Sequence, residues 1–76
     1  MMQSNSAEFV VHVTPHPDGW HVKPPAGKET NHRRKAVAAL RAKQLAANAD
    51  EPGRVIFHRV DGTIELERHF ERFLQG

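Results

Sequence analysis

Seventy-six residues carrying 11 Lys and Arg against 9 Asp and Glu, for a net charge of +2, allow one small domain, which buries only about 60% of its unfolded surface and gains from a partner. The absence of cysteine excludes disulfides, thiolate metal ligands and a cysteine nucleophile. No stretch approaches the ~20 apolar residues of a membrane span, and the first residues lack the basic start and apolar run of a secretion signal, so the expectation is a cytoplasmic protein with no membrane partner.

Residues 1–7 are polar and aperiodic and are expected to form a disordered tail ahead of a single domain over 8–68. Phe9, Val11 and Val13 alternate with Val10, His12 and Thr14, the period of a strand. Pro15 to Gly19 breaks that run with two prolines and an Asp-Gly pair. Trp20 and Val22 then alternate with His21 and Lys23 before Pro24-Pro25. The two runs make a hairpin with Phe9, Val11, Val13, Trp20 and Val22 inward and His12 and His21 outward.

Gly27 to Thr30 reads as a loop, after which Thr30 or Asn31 can cap a helix by accepting hydrogen bonds from its first amides. Residues 31–49 are rich in alanine, leucine, lysine and arginine and contain no Gly or Pro, which predicts that helix. Its contact face is read as Ala36, Val37, Leu40, Leu45 and one row of alanines. Pro52 and Gly53 end it.

Residues 54–60 and 63–68 are rich in β-branched and aromatic side chains and flank Asp61-Gly62, the mark of a second hairpin. A two-residue loop sets Phe57 opposite Leu66, Arg59 opposite Ile64 and His58 opposite Glu65. A three-residue loop with a bulge at Gly62 instead sets Ile56 and His58 opposite Leu66 and Ile64. Over 69–76, Phe70, Phe73 and Leu74 stand at helical spacing and predict a short apolar turn that covers the core or meets another chain.

These elements predict an α+β, two-layer ββαββ architecture, a four-stranded antiparallel sheet with one helix packed on one face. The expected core is Phe9, Val11, Val13, Trp20, Val22, Val37, Leu40, Leu45, Val55, Phe57, Ile64 and Leu66. The other face of the sheet, with His12, His21, Lys23, His58 and Glu65, is expected to be open to water or a partner.

His12-Val13 with Asp18-Gly19-Trp20-His21-Val22, then Leu45-Ala46-Ala47-Asn48, then Ile56-Phe57-His58 with Asp61-Gly62-Thr63-Ile64, in that order, resembles the DUF2188 family of small bacterial proteins of unknown function. The resemblance covers Phe9 to about Glu67. It departs at the helix start, where such proteins often read Thr-Lys-x-Glu-Ala and this chain has Asn31-His32-Arg33-Arg34-Lys35-Ala36, and it finds no counterpart for the tail after Glu67. It implies a fold and assigns no activity.

Six histidines raise the question of a metal, with His12, His16, His21 and His58 the nearest candidates. Their spacing matches no zinc motif, so solvated strand and turn residues are expected, with no cofactor. Arg33, Arg34 and Lys35 stand in the first turns of the expected helix, where its dipole already places positive potential. With Arg41 and Lys43 extending the field, they are the candidate site for a nucleic acid or other polyanion. Trp20 reads as a core residue with its indole N–H at the rim. His58 beside Glu65 or Asp61 has the makings of an acid/base pair, but neither a nucleophile nor an oxyanion donor set accompanies it. The expected function is therefore a non-enzymatic interaction or structural module, with a homodimer or protein partner, and the alternative is a non-sequence-specific polyanion binder.

Overall fold

The computed structural model describes residues 8–70. The expected tail over 1–7 and the expected contacts of Phe73 and Leu74 lie outside them. Six elements follow one another: β1 (Phe9–His16), β2 (Gly19–Lys23), β3 (Thr30–His32), α1 (Lys35–Ala47), β4 (Gly53–His58) and β5 (Ile64–Phe70). The strands form one sheet in the order β3-β2-β1-β4-β5.

The fold is α+β with one helix, but the sheet has five strands and is mixed, not four-stranded and antiparallel. β1 and β4 run parallel, Val11 opposite Val55 and Val13 opposite Phe57, while β1–β2, β2–β3 and β4–β5 are antiparallel. One short strand accounts for both differences. Without β3 the chain would run up, down, up through the helix and down again, leaving β4 antiparallel to β1. β3 adds one reversal, so α1 descends and β4 rises beside β1, and the helix supplies the crossover that parallel neighbours require.

β3 is polar and three residues long, which is why Thr30 and Asn31 read as helix caps. Pairing holds it instead: Val22 faces Thr30, His21 faces Asn31 and Trp20 faces His32. Asn31 Nδ2 donates to Asp18 Oδ2 at 3.1 Å, tying β3 to the β1–β2 turn. The approach is close enough that a Cβ at Gly19 would lie 2.4 Å from the His32 carbonyl oxygen.

The helix accordingly starts at Lys35 and not at Asn31, with Arg34 as N-cap and no side-chain cap. Its contact face is also different. Ala38, Ala42 and Ala46 are buried, with Ala39 and Leu45 packed at their edge, whereas Val37 and Leu40 are 49% and 58% exposed. The alanine row was expected; Val37 and Leu40 beside it were not needed. Small side chains let the helix axis sit close to the sheet, and Gly53 completes the fit, because a Cβ there would meet the Ala46 carbonyl oxygen at 2.5 Å.

Val11, Val13, Val22, Val55 and Phe57 form the sheet's half of the core, with Phe9, Trp20 and Phe70 packed against it. Ile64 and Leu66, expected inside, are 48% and 45% exposed. The helix packs on β1, β2, β4 and β3, so among the described residues no helix roofs the β5 side of the sheet.

The second hairpin uses each expected register in turn. Arg59 N–H donates to the Thr63 carbonyl and Gly62 N–H to the Arg59 carbonyl, a three-residue loop with Gly62 at φ +90°, as glycine permits. His58 therefore faces Ile64. An irregularity between Phe57 and His58 then restores Phe57 opposite Leu66 and Ile56 opposite Glu67. The strand continues to Phe70, so His69 and Phe70 belong to β5 and not to a helical turn.

Candidate functional site

Strand alternation sends His12, Thr14, Ile56 and His58 to the face of the sheet away from α1. His12 Nδ1 and His58 Nε2 are 2.9 Å apart and the rings stack with centroids at 5.1 Å. His58 Nδ1 lies 3.2 Å from the Gly62 carbonyl oxygen, which can only accept, so this nitrogen carries the proton. In neutral His58 the Nε2 is then an acceptor and His12 Nδ1 donates to it. The result is a relay from β1 through β4 to the hairpin loop.

Burial first, then the positive fields of His58, Lys23 and Arg54, hold His12 below its ordinary value of 6.5. A second pair stands on the same face, His16 stacked on His21 at 3.7 Å, with His21 Nε2 3.2 Å from Asp18 Oδ1. The four candidate histidines thus separate into two pairs, and no group of three or more His, Asp or Glu able to hold a metal occurs among the described residues. Thr14 Oγ1 is buried on this face without a hydrogen-bond partner among the described residues.

Arg54 on β4 ties the residue before β1 to β5, its Nη2 donating to Glu8 and its Nη1 to Glu67 Oε1 at 3.5 Å. Glu65 does not share this face as expected. The irregularity beside it turns its carboxylate to the helix side, where Lys35 Nζ donates to Oε1 at 2.7 Å. That hydrogen bond holds the Glu65 carboxyl below the usual range, and it removes Glu65 as a partner for His58.

The five candidate bases do not converge. Arg33 and Arg34 are exposed ahead of the helix. Lys35 is held by Glu65 and lies over the Trp20 ring at 5.3 Å. Arg41 flanks a recess with Phe9, Gln44, Leu45 and Asn48, whereas Lys43 stands on the opposite flank of α1.

Lys43 belongs to a groove between α1 and β5 of about 540 Å³, floored by Phe57 and Leu66 and edged by Lys35, Glu65 and Arg68. Sequence pattern alone missed this site. Leu66 was counted as core and Arg68 as the end of a strand, because the groove depends on how far the helix reaches across the sheet. No helix of the described residues is long and apolar enough to cross a membrane.

With this geometry in view, residues 11–70 match the family described as an uncharacterized protein conserved in bacteria, DUF2188. No curated protein and no solved structure matches the chain. The match spans most of its length, and the chain belongs to the DUF2188 family.

Proposed function

We propose that this DUF2188 domain is a non-enzymatic interaction module that works through its α1–β5 side. One observation carries the reading: the helix buries alanines and stops short of β5, so Leu66 is 45% exposed in an open groove, and Leu40 on α1 is 58% exposed. A domain this small has few large aliphatics to leave in water unless they meet something. Among the described residues β5 is also an edge strand of the sheet, an arrangement that partners use.

The test places a photo-crosslinking residue at Leu40, Leu66 or Lys23 in turn, in the host cell. Adducts from positions 40 and 66 with none from 23 support the reading, and adducts from 23 alone overturn it.

Arg33 and Arg34 favour a second reading, polyanion binding, because they stand uncapped and exposed where the helix has no acid in its first turn. Oligonucleotide titration at two salt concentrations tests it. Amide shifts at 33–35 that weaken steeply with salt support it; shifts that ignore salt, or none, reject it.

A further inference from the structure

We infer that the helix-free face of the sheet is a proton-gated docking surface for a single nucleic acid strand, centred on His12, His16, His21 and His58. It lies across the sheet from the α1–β5 groove and stands apart from the interaction reading above.

The registers gather these side chains. His12 and Thr14 on β1, His21 and Lys23 on β2, and Ile56 and His58 on β4 share the face turned away from the buried alanines of α1. With His16 at the end of β1, four of the chain's six histidines meet there. Phe9 and Phe70 both stand opposite Gly53, so residues 1–7 and 71–76 join the sheet at the end away from His16 and His58.

Two properties of this face point to the occupant. The first is charge. Lys23 stands opposite His12 and makes no ion pair among the described residues, and the fields of His58, Lys23 and Arg54 converge on His12. The acids nearby are engaged: Glu8 and Glu67 hold Arg54, and Asp18 accepts from Asn31 and lies 3.2 Å from His21 Nε2. At neutral pH these fixed charges nearly cancel. Each imidazole that protonates as the pH falls adds positive charge that an anion can answer.

The His12–His58 contact makes proton and anion arrive together. A first proton, on His12 Nε2, leaves the donation from His12 Nδ1 to His58 in place. A second sets two N–H groups against each other across 2.9 Å, and a phosphate beside them offsets that repulsion.

The second property is stacking. The His16 and His21 rings lie 3.7 Å apart and 14° from parallel, and His16 is exposed, so an unpaired base laid on its outer side continues a stack already begun. A duplex keeps its bases turned inward and polyphosphate has none, which favours the single strand.

The probe is a thymidylate octamer at about pH 5.5 and about pH 7.5, the range in which imidazoles charge. Binding to the full chain is followed by calorimetry and by imidazole and amide resonances. The octamer is expected to bind about tenfold or more tighter at the lower pH, to shift His12, His16, His21 and His58 most, and to raise the pH at which His12 titrates. The double variant His16→Gln, His21→Gln is expected to lose most of that gain with an unchanged melting temperature at neutral pH, while Arg33→Gln, Arg34→Gln keeps it.

Equal affinity at the two pH values, largest shifts at 33–35, or no binding overturns the inference, as does a histidine variant that keeps the full gain or an arginine variant that loses it. Polyphosphate of matching charge, or a duplex, binding as tightly as the single strand also overturns it, because charge alone then suffices. Near neutral pH the face carries little net charge, so position 23 remains a control in the crosslinking experiment, which decides the α1–β5 reading separately.

Discussion

Gly53 and His12 show how far single residues carry the architecture. At Gly53 the limit is space: β4 begins directly under the last turn of α1, and a methyl group there would meet the Ala46 carbonyl at 2.5 Å and its Cβ at 2.9 Å. The obstacle is backbone, which cannot swing aside. Gly53→Ala is expected to cost about 1–3 kcal/mol, as overpacking does in other cores. Chemical denaturation measures it, and a variant as stable as the parent would show that the helix end gives way freely.

At His12 the limit is charge. The folded protein holds this imidazole neutral below its ordinary pKa of 6.5, while the unfolded chain protonates it there. Below about pH 6.5 the unfolded state binds the extra proton, so the contribution of His12 is present above that pH and is lost as the pH falls through the folded value. The groups facing it are Lys23 on β2 and Arg54 and His58 on β4, with Glu67 reaching Arg54 from β5. The melting temperature is expected to fall between about pH 7 and pH 5 more steeply in the parent than in His12→Gln. Parallel slopes would remove His12 as the cause.

Among the elements, α1 departs most from its sequence pattern. A helix rich in alanine has no strong apolar stripe, and reading Val37 and Leu40 as its buried face followed the general rule that large aliphatics go inside. The sheet decided otherwise. Its valines and Phe57 fill the interior, so the close-packed solution presents the smallest side chains of the helix, and Val37 and Leu40 turn outward. Ala42→Leu is therefore expected to destabilise by about 1–3 kcal/mol through overpacking, whereas Leu40→Gln should stay within about 0.5 kcal/mol, as surface changes do. Thermal or urea unfolding of the two variants checks this. The reverse order of effects would put Leu40 in the core.

The second hairpin makes a related point. Asp61-Gly62 announces a turn, but the turn alone did not settle its register. The three-residue loop sets His58 opposite Ile64, and the irregularity one step further along shifts the register back so that Phe57 and Leu66 stand opposite each other. The irregularity has a consequence for the site, because it moves Glu65 to the helix side and into the hands of Lys35.

At the scale of the whole molecule, width governs. Strands lie about 4.8 Å apart and a helix is about 10 Å across, so a single helix roofs only part of a five-stranded sheet. Centred on β1 and its neighbours, α1 does not reach across β5, and among the described residues the groove follows from that shortfall. The same geometry splits the five basic residues between two flanks and the N-terminus of the helix, where a linear reading joins them into one field.

Strand alternation, the Asp-Gly turns and the alanine-rich run were enough to determine that this chain forms two hairpins and one helix, that Val11, Val13, Val22, Val55 and Phe57 face inward, and that it resembles the family to which it belongs. These are local properties, written in periods of two and in turn chemistry. Tertiary structure alone decided the rest. The strand Thr30–His32 exists because β2 and Asp18 hold it, its extra reversal makes β4 parallel to β1, and the reach of the helix sets which apolar side chains stay in water. Each of these depends on contacts between residues distant in the chain, for which neighbouring side chains carry no signal.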